Sequence, residues 1–148
     1  MSEVLDKPEV ARIYIDARGP RFGAVITTTV LAIALVTQNK WVILAQGVVF
    51  AIGAIRGPQF TPYGFIFKTL IKPRLSQPGP TEDVRPPKFA QAVGFGFALV
   101  GTIAAFAGFE IAFTIAVGAA LGAAFLNAVF NYCLGCEMYL LLVRLTSK

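Results

Sequence analysis

The chain has 148 residues, 56% hydrophobic and 14% charged, with a formal net charge of +5 and a mean hydropathy of +0.69. Soluble domains carry roughly 25% charged residues, so the composition argues for a membrane protein. The basic residues bracket apolar segments and form no single patch, which excludes a nucleic-acid partner.

The N-terminal segment, residues 1–20, holds Glu3, Asp6, Lys7, Glu9, Arg12, Asp16 and Arg18 without an apolar run. No cleavable signal peptide is expected, and the first apolar stretch must both direct insertion and anchor. Four such stretches follow: about Phe22 to Thr37, Trp41 to Ile55, Phe89 to Phe109 and Ile111 to Phe130. A span needs about 20 residues, so the first two helices are expected to extend beyond these cores. Gln38-Asn39-Lys40 alone separates the first pair, and the region around Glu110 the second, giving two helical hairpins. With both hairpin tips outside, Lys40 is the only basic residue there, and every other Lys and Arg faces the cytoplasm. This is the positive-inside pattern. It implies a multi-pass protein of the plasma membrane with both termini cytoplasmic.

Between the hairpins, Pro62 to Leu75 carries Phe65, Ile66 and Leu70 with Lys68 and Lys72 four apart, a pattern suited to a helix lying in the interface. Pro58 and Pro62 prevent it from continuing the second span. Ser76 to Lys88 is rich in Pro and charge and reads as a solvated linker.

The chain repeats itself. "RGPRF" (Arg18 to Phe22) and "RPPKF" (Arg85 to Phe89) each open a hairpin, and aligning Gly64 with Gly135 sets "TPYG" opposite "YCLG". Each half has two spans, so the halves are parallel repeats about an axis near the membrane normal. The expected fold is an all-α membrane protein of four transmembrane helices. It comprises the first repeat (21–75), the linker (76–88) and the second repeat (89–148), with a short interfacial helix closing each repeat. Gly118 and Gly122 form a GxxxG pair expected to pack within the fold, an interface between protomers being the alternative. Thr27, Thr28, Thr29 and Gln46 are expected to face the bundle interior.

Cys133 and Cys136 are the only cysteines, spaced C-x-x-C. Residues three apart on a regular helix have Cβ atoms about 5–6 Å apart, whereas a disulfide needs about 3.5–4.5 Å. A pair in the first turn of a new helix can close. If the chain breaks near Asn131–Tyr132 and restarts at Cys133, the pair caps a helix N-terminus, which favours thiolate. Glu137 would partly oppose this. Asn127 and Asn131 lead to the pair and could line a polar interior beneath it. The plain alternatives are two cysteines packed as small hydrophobes and asparagines bonding neighbouring helices. There is no histidine, so neither a c-type nor a histidine-ligated b-type haem is possible, and a four-thiolate zinc site would need a second protomer. No cofactor and no metal are expected. Nothing supports a hydrolase or ATPase, and whether the chain is an enzyme at all stays open.

"IDARGPRFGA", "TPYGFIFK", "PPKFAQAVG" and "FLNAVFNYCLGCEMYLLL" resemble the small bacterial membrane proteins of domain-of-unknown-function family 4395. The resemblance covers nearly the whole chain. It implies a four-helix membrane protein of actinobacterial type, with no activity to carry over. Family members are often encoded near thioredoxin-like proteins or rhodanese-type sulfurtransferases, which implies such a cytoplasmic partner.

Three functions follow as expectations. The first is a thiol-based relay of electrons or persulfide sulfur, with Cys133 and Cys136 reacting and Asn127, Asn131, Tyr132 and Glu137 around them. The second is an accessory subunit of a larger membrane complex, or a homo-oligomer, in which the cysteines only pack. The third is a small transporter of a sulfur compound.

Overall fold

Asp16 accepts hydrogen bonds from the backbone N–H of Arg18 at 3.0 Å and from its guanidinium at 3.0 and 2.8 Å, and helix α1 (Arg18–Thr37) begins there. The computed structural model describes residues 14–75 and 79–146. Most of the N-terminal segment, with Lys7 and Arg12, lies outside the described residues, as do 76–78 and Lys148. Helix α1 gains a turn ahead of Phe22, as its short apolar core required. It stops at Gln38, in the left-handed region at φ 54°. Asn39 then starts helix α2 (Lys40–Ile55), its side chain accepting from the N–H groups of Trp41 and Val42 at 2.8 and 3.3 Å. Gly57, at φ 110°, and Pro58 end α2.

Helix α3 starts at Pro62–Ile66, widens into a π-helical turn over Phe67–Ile71 and tightens into a 3-10 turn over Lys72–Arg74, where Pro73 supplies no N–H. Its Phe67 is buried against Phe22 and Gly19 of α1. The second half comprises α4 (Arg85–Ala107), α5 (Glu110–Phe130) and α6 (Leu134–Thr146), with Gly108 at φ 84° turning α4 into α5. Helices α1, α4 and α5, of 20, 23 and 21 residues, are long and apolar enough to cross a membrane. Helix α2 has 16 residues, about 24 Å of rise against a hydrocarbon core of about 30 Å. The expected lengthening of the second span therefore does not occur: Gly57 and Pro58 stop it.

Part of the stretch read as a linker is structured. Thr81–Asp83 forms β2, antiparallel to β1 (Tyr14–Asp16), with Tyr14 opposite Asp83, Ile15 opposite Glu82 and Asp16 opposite Thr81. The prolines after it occupy the first turn of α4, where a missing N–H costs nothing. Asp83 holds Arg85 as Asp16 holds Arg18, through the backbone N–H at 2.9 Å and the guanidinium at 2.5 Å. The ribbon therefore relates the two repeats by a two-fold axis through the Ile15–Glu82 pair.

The buried positions obey the same symmetry. Ile43, Gln46, Gly47 and Phe50 of α2 correspond to Phe113, Ala116, Val117 and Ala120 of α5. Helix α1 packs on α5 and α2 packs on α4. Contact depends on small residues: a Cβ on Gly94 would meet the Phe50 ring at 2.7 Å, and one on Gly101 would meet Val117 at 3.1 Å. The expected packing of Gly118 and Gly122 within the fold is not seen; both face open space. Gln46 is interior at 1% exposure and accepts from the Tyr63 hydroxyl at 2.6 Å. Thr27 is buried as expected, but Thr29 is exposed. Its hydroxyl bonds the Val25 carbonyl one turn back at 3.1 Å, so it needs no partner on another helix.

The Arg18 hydrogen bonds, and more weakly the Lys72 ammonium at 3.8 Å, hold the Asp16 carboxyl below its ordinary range. A depressed carboxyl pKa contributes stability that is present above the unfolded value and lost as pH falls through the folded one. Asp16→Ala is expected to lower the thermal midpoint of the detergent-solubilised protein at pH 7. The gap to the wild type should narrow as pH drops below 4, read by circular dichroism melts at both pH values.

Candidate functional site

The end of α5 and the start of α6 are built by caps. Asn131 takes φ 54°, a left-handed conformation that asparagine tolerates, and the next N–H, of Tyr132, returns to the Leu126 carbonyl at 3.2 Å. The break falls where the sequence placed it, so Asn131 has a conformational role at the helix end. Cys133 then caps α6. Its carbonyl accepts from the Glu137 N–H at 3.1 Å and its sulfur from the Cys136 N–H at 3.1 Å. Cys133 and Cys136 are joined as a disulfide, with Cα atoms 5.1 Å apart.

The first repeat makes the same cap with an oxygen. Thr61 Oγ1 accepts from the Gly64 N–H at 3.1 Å, and its carbonyl accepts from the Phe65 N–H at 2.9 Å. By hydrogen bonding, Thr61 matches Cys133 and Gly64 matches Cys136. This shifts the repeat by one residue from the glycine-to-glycine alignment, because each glycine answers to a different contact. A Cβ on Gly64 would overlap the Pro58 carbonyl oxygen, whereas one on Gly135 would lie 2.6 Å from Ala90 Cα and Cβ. Gly135 thus lets the turn with the cysteines dock against α4. Tyr139, one turn on, stacks on Phe89 at 5.6 Å.

Among the other expected site residues, Tyr132 and Glu137 are exposed beside the pair. Asn127 is half-buried one turn up α5, and its side chain makes no hydrogen bond among the described residues. The expectation that it bonds a neighbouring helix has no counterpart in these contacts. Gly135 was read from the sequence as the repeat's matching glycine and not as a contact with α4, and Tyr139 was not singled out. Neither was Arg21, whose guanidinium donates to the Ala128 and Val129 carbonyls at 3.2 and 3.4 Å. Its place in the repeated R-G-P-R-F opening was the available signal. It sets a cation at the C-terminus of α5, where the carbonyl ends favour positive charge. Cys133 and Cys136 are half-buried, so the pair sits in the surface layer rather than in the core. Among the described residues no cluster of three or more His, Cys, Asp or Glu forms.

A family model described as a domain of unknown function (DUF4395) matches residues 15–144. No curated protein and no solved structure matches the chain.

Filling the Gly135 contact is expected to push α6 off α4. Gly135→Val should cost about 1–3 kcal/mol of stability. Gly118→Ala, in open space, should change it by less than about 0.5 kcal/mol. Denaturation midpoints of the two variants in one detergent check both values.

Proposed function

The chain belongs to the DUF4395 family, and from that premise we propose that Cys133 and Cys136 form a working dithiol on the cytoplasmic face of a plasma-membrane protein. The observation that supports this most is the comparison of the two repeats. Thr61 caps one helix and Cys133 the other with the same pair of bonds, so the fold needs a cap acceptor there but not a thiol.

In the proposed reaction, the reduced pair meets a disulfide on a soluble thioredoxin-like partner. The Cys133 thiolate attacks one partner sulfur, forming a mixed disulfide and releasing the other partner sulfur as thiolate. The Cys136 thiolate then attacks Cys133 Sγ and expels the second partner thiolate. The partner takes up two electrons and two protons, and the pair leaves as the disulfide. With a sulfurtransferase persulfide, the Cys133 thiolate instead takes the outer sulfur and the donor leaves as thiolate. Cys133 suits the attacking role because the Cys136 N–H and the N-terminus of α6 both favour charge on its sulfur. Cytoplasmic thiols are held reduced, so the disulfide would be a transient state of the cycle.

The wider topology belongs to the same proposal. Helix α2 would complete a fourth span, the bilayer adapting to its short length. Lys40 would lie outside, and the basic residues at the ends of the other elements would face the cytoplasm. A second reading is favoured by Gly118 and Gly122, which offer open space on α5 for close approach of another helix. In that reading the chain is an accessory subunit and the cysteines only pack.

After reduction, alkylation from the cytoplasmic side should label Cys133 at neutral pH roughly tenfold faster than a model thiol. Replacing both cysteines by serine should abolish exchange with the partner without affecting membrane insertion. Slow, equal labelling of both thiols, or unchanged exchange in the double variant, would sink the relay and favour the accessory reading.

A further inference from the structure

A groove of about 410 Å³ runs along the outer side of α2 where it meets α4. That volume is within the range of small-molecule sites, about 300–1,000 Å³. Its floor is Gly47 and Ala51, its walls include Val48, Phe95 and Leu99, and Arg56 closes one end. From Leu44 to Arg56 it extends about 18 Å along the helix. Thr102, also on its wall, already donates its hydroxyl to the Ala98 carbonyl at 2.7 Å. The groove therefore suits a slender apolar chain and offers no polar interaction until its basic end.

At that end two cations share one aromatic ring. The Arg56 guanidinium lies 5.5 Å from the Phe60 ring centroid and the Lys68 ammonium 5.9 Å from the same centroid. Among the described residues, neither pairs with a carboxylate. The second repeat shows that the fold does not require such a groove. At the matching positions, Val117 replaces Gly47, Leu121 replaces Ala51 and Leu126 replaces Arg56. The same helix pair there has a filled floor, and the cation at its end, Arg21, is held by the Ala128 and Val129 carbonyls.

We propose that this groove binds an anionic phospholipid, one acyl chain lying along α2 and the phosphate held between Arg56 and Lys68. An apolar trough ending in two cations at the level of the headgroups complements an anionic lipid in both shape and charge. The early stop of α2 at Gly57 sets Arg56 at this depth, where its aliphatic stem can lie along the apolar wall and its head can meet the phosphate. The site does not depend on the chemistry of the cysteines.

The test uses the full chain in a neutral detergent with equal dioleoyl phosphatidylglycerol and dioleoyl phosphatidylcholine, retained lipid being counted by native mass spectrometry. The wild type should keep one phosphatidylglycerol about tenfold in preference to phosphatidylcholine. The double variant Arg56→Gln/Lys68→Gln, altered only at surface charges, should lose that preference. Ala51→Phe should fill the floor and release both lipids with the charges intact. Millimolar glycerol phosphate should displace nothing. Equal retention of the two lipids by the wild type, a preference that survives the double variant, or undiminished binding in a folded Ala51→Phe would each overturn the proposal. Displacement by glycerol phosphate would overturn it as well, assigning the cations to a soluble anion.

Discussion

Every interruption of a helix at a membrane must satisfy the backbone groups it frees, because lipid offers no water to bond them. The chain is interrupted four times within its two halves, and each break carries its own device. Asn39 accepts two N–H groups at the first tip, and Gly108 turns the second with a left-handed φ. Thr61 caps α3, whose first residue is a proline with no N–H to satisfy. Asn131 and Cys133 share the last break, one ending α5 in the left-handed region and the other starting α6. The break there needs an acceptor, and the Cys133 sulfur acts as one.

The β1–β2 ribbon turns these local devices into one architecture. With Ile15 opposite Glu82 on the axis, each strand leads into its own Asp–Arg clasp and its own long helix, α1 or α4. The hairpins then exchange partners, α1 against α5 and α2 against α4. Between lipid-facing helices the hydrophobic effect adds little, so close approach at Gly94 and Gly101 carries the packing. Burial has the opposite effect at Glu82, whose carboxyl is pushed above its ordinary range. The Asp16 clasp and the partly desolvated Glu82 carboxyl thus place opposing pH dependences in one ribbon.

The two halves differ in backbone, α2 being shorter than α5 and α3 carrying π and 3-10 turns where α6 is regular α-helix, and they differ in side chains. Thr61 against Cys133 exchanges an oxygen cap for a sulfur one. Gly47, Ala51 and Arg56 against Val117, Leu121 and Leu126 open a groove on one side and close it on the other. Thr61 holds its helix start with a single oxygen, so a cap at this place in the repeat needs no covalent bond.

Hydrophobic run length, proline placement and the repeated R-x-P-[RK]-F opening were enough to place the helices and both hairpin turns. They were also enough to locate the break ahead of Cys133 and the repeat itself, because these follow from local backbone chemistry. The ribbon was not legible: three residues on each side have no periodicity of their own, and their pairing joins segments far apart in the chain. The outward direction of Gly118 and Gly122 was equally hidden, since a GxxxG pair has the same spacing whichever way its helix is turned. So were the Gly135–Ala90 contact, the reach of Arg21 to the end of α5 and the groove beside Arg56. By itself the sequence determined which segments are helical and, apart from the lengthening expected of α2, where they stop, because those depend on residues a few positions apart. Only the tertiary structure decided which faces meet, because helix rotation is set by how small residues on one helix receive large ones on another.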